Sequence, residues 1–69
     1  MSNHVYKIID VVGSAPGSTP AAIKQAIATC DKTLEHLEWF EVKEVRGSIK
    51  DGGVGNYQVV LKIGFRLNG

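Results

Sequence analysis

Four side chains on predicted strands have the chemistry to bind a ligand: one tryptophan, one glutamine and two arginines. Trp39 is the only tryptophan in the chain. A tryptophan at this position can also close the edge of a helix–sheet core with its indole N–H at the rim. Gln58 can donate and accept hydrogen bonds, and Arg46 and Arg66 carry bidentate donors that suit a phosphate or a carboxylate. The residue types alone leave a ligand-binding role and a structural role open.

The other titratable residues do not form a catalytic or metal-binding arrangement. His4 and His36, the two histidines, are far apart in the sequence, which disfavours a metal site. Cys30 is the single cysteine and falls on the apolar face of a predicted helix, where it is a small buried hydrophobe. Four carboxylates are spaced three residues apart, and a change from helix to strand among them directs their side chains apart: Glu35, Glu38, Glu41 and Glu44. Glu41 and Glu44 are candidate ion-pair partners of the arginines. The sequence predicts that the protein is not an enzyme.

Two glycine-rich segments have the composition of turns. Residues 13–20 (GSAPGSTP) lie between a strand and a helix, as a phosphate-binding loop does, but Pro16 and Pro20 lack backbone donors that such a loop uses. A capped turn is favoured, with Thr19 as N-cap and Pro20 as the first helical residue. Residues 50–55 (KDGGVG) are typical of a hairpin turn.

Hydrophobic periodicity predicts three strands and one helix. The strands cover residues 4–12, 39–49 and 56–67, and the first is apolar on both faces. The helix runs to about residue 37 and carries an apolar stripe at spacings of three or four: Ile23, Ala26, Ile27, Cys30, Leu34 and Leu37. The third strand alternates cleanly, with one apolar face made of Tyr57, Val59, Leu61, Ile63, Phe65 and Leu67.

This order predicts an α+β fold over residues 1–69 as a single domain. A three-stranded antiparallel sheet in β-α-β-β order carries one helix on one face, and the helix returns the chain beside the first strand. The other face is too apolar to be left in water, because it holds Val60 and half of the first strand. A chain of 69 residues also has a small core. Both arguments predict a homo-oligomer whose sheets pack together.

The predicted hairpin places the candidate ligand residues far apart in one chain. If the turn is centred on residues 52 and 53, Trp39 lies beside Arg66, and Gln58 lies beside Gly47 and near Arg46. Gln58 and Arg66 are eight residues apart, or roughly 26 Å along a strand. One chain therefore cannot bring Trp39 and Gln58 to the same small ligand, whereas two chains can.

The net charge of +1, with interspersed signs, does not favour nucleic acid or a membrane surface as a partner. The N-terminal segment MSNHVYKIID lacks the long apolar run of a signal peptide, and the sequence has no apolar run long enough to span a membrane. A cytoplasmic protein is expected.

The sequence resembles the dodecins, small bacterial and archaeal flavoproteins that assemble as hollow dodecamers. The resemblance covers essentially the whole chain. It depends on the element order, on WFEV (39–42) followed by VRG (45–47), on a D-G turn, and on YQVVLKIGFRL (57–67). The helix start, STPAAIK, departs from the acidic first turn of many members, but this touches helix capping and leaves the flavin contacts unaffected.

The resemblance implies a binding role for each of the four side chains. Dodecins stack pairs of flavins between two symmetry-related tryptophans, which match Trp39, and a glutamine matching Gln58 binds the polar edge of the isoalloxazine. Arginines matching Arg46 and Arg66 occur in members that prefer FMN to riboflavin. The implied function is flavin storage and sequestration in a homododecamer, and coenzyme A binding between subunits is a further implication without assigned residues.

The residues disfavour two other classes of function. A sheet-surface module that recognises protein or RNA needs exposed aromatics on the open face, whereas Tyr57 and Phe65 alternate onto the apolar side. A flavin-dependent redox enzyme needs a substrate pocket and a proton donor, and the sequence offers a candidate for neither.

Overall fold

In the computed structural model, which describes residues 3–67, the element order is the predicted β-α-β-β. The four elements are β1 (Val5–Ala15), α1 (Thr19–Asp31), β2 (Leu37–Lys50) and β3 (Gly53–Leu67). Each strand is longer than its predicted span. The three-stranded antiparallel sheet with one helix is confirmed.

The sheet order is β1-β3-β2, so β3 is the central strand and is antiparallel to both neighbours. The expectation that the helix returns the chain beside β1 is wrong. β2 instead lies on the far edge of β3, parallel to β1, because β3 pairs with β2 through a tight hairpin and offers its other edge to β1. Because β1 and β2 are parallel and lie on either side of β3, a crossover connection must join them, and the helix is part of it.

The helix begins one residue earlier than predicted. Ser18, not Thr19, is the N-cap: its backbone is extended, and its Oγ accepts a hydrogen bond from the Ala21 backbone N at 3.2 Å. Thr19 and Pro20 therefore lie in the first turn, where the missing N–H of a proline costs no hydrogen bond.

The helix ends at Asp31 rather than near Leu37, so the prediction of its C-terminus is wrong. Past the C-cap Lys32, the backbone N–H groups of Thr33 and Leu34 both donate to Cys30 O. His36 then takes a positive φ of 62°, and its carbonyl accepts from Arg66 N. Leu37 still packs against the core, but from a strand. Leu34 and Leu37 continue the helical spacing of apolar residues, but pairing of Leu37 with β3 determines the backbone structure there.

The core lies between the helix and the apolar side of β3, as the alternation predicts. Val59, Leu61 and Ile63 are at most 2% exposed, and Phe65 is 9% exposed. Small residues bring the helix close, because a Cβ at Gly13 would lie 2.1 Å from Ala22 O. Ala22 is fully buried although the predicted stripe omitted it. Cys30 packs against this core but is only partly buried, so the expectation of a buried residue holds in part.

The helix packs on β1 and β3 and leaves the same side of β2 uncovered. Phe40, Val42 and Val45 lie there, and each is about half exposed. On the opposite side of the sheet, which we call the open face, Tyr6, Ile8 and Val12 of β1 are also exposed. The structure therefore presents apolar surface on both sides of the sheet.

The hairpin turn is formed by Asp51 and Gly52, one residue before the predicted centre. Both have positive φ, 51° and 79°, as a two-residue hairpin loop requires. Lys50 pairs with Gly53, and three register irregularities follow along β2. Trp39 consequently lies opposite Gly64 rather than Arg66, and Gln58 lies opposite Arg46 rather than Gly47. Both predicted pairings are wrong, by two residues and by one.

Candidate functional site

Trp39 lies on the open face near the start of β2 and rests on the backbone of β3. A Cβ built on Gly64 would lie 2.2 Å from Cε2 and 2.3 Å from Cζ2 of the indole, so the ring covers the glycine directly. The Tyr6 ring packs on the indole at a centroid distance of 5.2 Å and an interplanar angle of 65°. Despite these contacts, Trp39 keeps 38% of its surface exposed. The indole is therefore held by its own chain but not enclosed by it.

Arg46 and Gln58 are brought together farther along the same face. Arg46 Nε donates to Gln58 Oε1 at 2.9 Å, and Arg46 Nη1 donates to Glu44 Oε2 at 3.3 Å. The two residues pair across β2 and β3, so their side chains share a face. Because Arg46 holds the amide oxygen, the Gln58 NH₂ group is left to donate to a ligand.

The ion pairs of the two arginines differ from each other. Arg46 pairs with Glu44, one of the two predicted alternatives, whereas Arg66 lies 4.0 Å from Glu38 and pairs with neither predicted glutamate. The Arg46–Glu44 pair is about half exposed, and pairs of this kind contribute about 0–1 kcal/mol. A phosphate can displace such a partner at little cost.

Arg66 belongs to the Trp39 end of the open face. It lies two residues beyond Gly64 on β3 and pairs with Tyr6 of β1. The open face thus carries two separate groups of side chains. We call them the indole end (Trp39, Tyr6, Gly64 and Arg66) and the amide end (Arg46, Gln58 and Glu44).

The two ends do not converge within one chain. Gly64, beneath the indole, is six residues from Gln58 on β3, which corresponds to roughly 20 Å. Charged side chains lie between them, including a Lys43–Asp10 pair at 3.7 Å. The separation is shorter than the predicted 26 Å, but it still exceeds the reach of one small ligand.

Sequence reasoning missed two residues of the indole end, Tyr6 and Gly64. Neither residue was given a role from its position in the sequence. A glycine inside a central strand is itself a signal, because it often marks close approach of another group. A tryptophan on the adjacent strand was the obvious candidate for that group.

Within residues 3–67 there is no helix long and apolar enough to cross a membrane. The same residues contain no group of three or more His, Cys, Asp or Glu side chains arranged to hold a metal ion.

Comparisons with known proteins point to one family along nearly the whole chain. The dodecin family model matches residues 5–68. The dodecin of Thermus thermophilus is 56% identical over 63 residues, which are 91% of each protein. The structure of the Streptomyces coelicolor dodecin superimposes with a TM-score of 0.96 at 48% identity, covering 100% of this chain and 99% of that one. A calcium dodecin of Mycobacterium tuberculosis is more distant, at 25% identity over 91% of this chain and 89% of its own length.

Variant structures of the Thermus thermophilus dodecin give a residue-level comparison. One replaces a tryptophan with phenylalanine, and two others each replace an arginine with alanine. The tryptophan precedes the first arginine by seven residues, and the first arginine precedes the second by 20. Trp39, Arg46 and Arg66 have the same two spacings.

Proposed function

Because the chain belongs to the dodecin family, we propose that it stores and sequesters flavin, FMN in preference to riboflavin, within a hollow homododecamer. The observation that carries this proposal is the half-open setting of Trp39. The ring rests on Gly64 and Tyr6, yet 38% of the residue is exposed. A large planar face held in place and left accessible is suited to stack on a flat aromatic ligand.

The spacing of Trp39, Arg46 and Arg66 supports the assignment of these residues to the binding site. It equals the spacing of the three residues substituted in the Thermus thermophilus variants. Equal intervals in a chain 56% identical support equivalent strand positions for the tryptophan and the two arginines.

Gln58 is the proposed partner of the polar edge of the isoalloxazine. The flavin pyrimidine ring alternates donors and acceptors, and a primary amide can satisfy both kinds of atom. Arg46 fixes the amide through its oxygen, which directs the Gln58 NH₂ group away from that bond. The amide is thereby oriented before the ligand arrives, which lowers the entropy lost on binding.

The two arginines are the proposed source of the preference for FMN. A guanidinium offers two parallel donors to a phosphate, which riboflavin lacks. Arg66, about one-third exposed and only loosely paired with Glu38, is the more available of the two. Arg46 is engaged with both Gln58 and Glu44, so its contribution is shared between orienting the amide and binding charge.

The site requires more than one copy of the chain. The indole and amide ends lie roughly 20 Å apart on β3, so an isoalloxazine that contacts both must lie between subunits. Exposed apolar side chains on both sides of the sheet are suited to cover each other in an assembly, and they include Ile8, Val12, Phe40, Val42 and Val45. A closed homo-oligomer buries these surfaces and completes the site at once.

We infer storage rather than turnover from the stacking role proposed for the indole. An indole in contact with excited flavin can donate an electron and quench it, so stacking protects the ligand from its own photochemistry. Coenzyme A binding, implied by the family resemblance, stays a prediction without assigned residues.

The test is a titration of purified, flavin-free protein with FMN, riboflavin and FAD, followed by flavin fluorescence. The proposal predicts strong quenching on binding, recovery of fluorescence on denaturation, and tighter binding of FMN than of riboflavin. A protein that leaves the fluorescence of all three flavins unchanged contradicts it. Single-stranded RNA in a parallel titration tests the alternative of a sheet-surface module, and NADH turnover tests that of a redox enzyme.

A further inference from the structure

Gly64 has a steric role that its place in a β-strand does not explain. A Cβ at this residue would lie 2.2, 2.3 and 2.6 Å from three carbon atoms of the Trp39 indole. Carbon atoms in contact normally stay about 3.5–4.0 Å apart. The indole can therefore lie this deep on the sheet only because residue 64 has no side chain.

Tyr6 limits the indole from a second direction. Its ring meets that of Trp39 at 65° with centroids 5.2 Å apart, an edge-to-face arrangement that the ring quadrupoles favour. Tyr6 lies on β1, on the other side of β3 from Trp39, so the indole reaches across the central strand to make this contact. One residue fixes the depth of the ring, and the other fixes its tilt.

We propose that Gly64 and Tyr6 are positioning residues that set the width of the gap in which flavin stacks. This inference rests on the proposed function, in which two symmetry-related indoles face each other. A methyl group at residue 64 must push the ring outward by more than about 1 Å to restore normal contact. Since both facing subunits change, the gap narrows by roughly twice that distance, which is a large part of the thickness of one stacked ring.

The experiment compares Gly64→Ala with Gly53→Ala, the same change on the same strand. A Cβ at Gly53 meets its nearest atom at 3.8 Å, an ordinary contact. Gly64→Ala should weaken flavin binding at least tenfold and change the near-ultraviolet circular dichroism of the tryptophan in flavin-free protein. Gly53→Ala should leave both unchanged. All variants are first compared by size exclusion, because the inference predicts the same assembly for each.

A second pair of variants tests the tilt independently. Tyr6→Phe keeps the ring and should bind flavin like the parent protein, whereas Tyr6→Ala should weaken binding and reduce the quenching of bound flavin. Rescue by phenylalanine separates ring packing from any role of the hydroxyl group.

The outcomes separate the inference from the function on which it rests. If the parent protein binds flavin and Gly64→Ala binds equally well with unchanged circular dichroism, the positioning role is overturned and the proposed function stands. A Gly64→Ala protein that no longer assembles also overturns it, because the glycine would then serve the subunit interface. If the parent protein binds no flavin, the proposed function and the inference both fail.

Discussion

The two faces of strand β3 have different roles: one forms the core, and the other carries proposed ligand-binding groups. On the helix side, Val59, Leu61 and Ile63 are almost completely buried. On the open face, the alternating residues of β3 are Gln58, Val60, Lys62, Gly64, which lies beneath the indole, and Arg66. Because side chains alternate along a strand, one segment of sequence supplies both the core and two of the four proposed ligand-binding side chains. Stability and binding should therefore respond to different mutations at adjacent positions.

The largest expected effect comes from the core face. Leu61→Ala should lower the free energy of unfolding by about 2–5 kcal/mol, because it leaves a cavity at a fully buried position. Flavin affinity of the protein that remains folded should not change. Chemical denaturation and flavin titration measure the two quantities. Val60→Ala, the adjacent change on the open face, is the control. An equal loss of stability in Val60→Ala would show that the two faces do not differ in their contribution to stability.

Trp39→Ala should give the largest effect on binding. Loss of a central aromatic contact typically costs about 2–4 kcal/mol, or roughly 30- to 1000-fold in affinity. The unfolding midpoint should shift little, because the side chain is partly exposed in its own subunit. Trp39→Phe retains a smaller ring and should fall between the two proteins. Undiminished affinity in Trp39→Ala would exclude stacking as the basis of binding.

Gln58→Glu should have an intermediate effect. The change keeps the size of the side chain but removes the NH₂ donor and adds a negative charge beside Arg46, with which Gln58 already forms a hydrogen bond. We expect a loss of about 1–3 kcal/mol in flavin affinity. Gln25→Glu, on the exposed side of the helix, makes the same charge change away from the site. Similar losses in both variants would point to net charge rather than to the amide.

The smallest effect is expected at Arg66. Arg66→Ala should reduce FMN affinity by about 1 kcal/mol, roughly fivefold, because the guanidinium is partly exposed. Riboflavin affinity should not change, and the difference should shrink as salt is raised. Arg46→Ala should weaken binding of both flavins, because it also releases the Gln58 amide. Equal losses for FMN and riboflavin in Arg66→Ala would remove its role as a phosphate ligand.

Periodicity in the sequence was sufficient to assign faces but not to place the ends of elements. The alternation from Tyr57 to Leu67 correctly identified the core side of β3, since burial imposes a period of two on any half-covered strand. It could not locate the end of the helix, because Leu34 and Leu37 continue the helical spacing while pairing with β3 determines the structure. Competition between local and long-range contacts is not encoded in spacing alone.

The strand register and the position of the indole on the sheet could not be predicted from the sequence either. A hairpin turn displaced by one residue, with bulges along β2, moved the partner of Trp39 from Arg66 to Gly64. That shift brought the indole over the one open-face residue of β3 that lacks a side chain, and within contact of Tyr6. Only the three-dimensional pairing reveals that these distant residues form one unit.

The most direct test of the composite site is sedimentation of the protein with FMN, recorded by protein and visible flavin absorbance together. The account predicts that flavin sediments only with a particle close to twelve times the 7.5 kDa chain mass, and that dissociating the particle releases it. Flavin that sediments with the single chain would contradict the account, because one subunit would then hold both ends of the ligand.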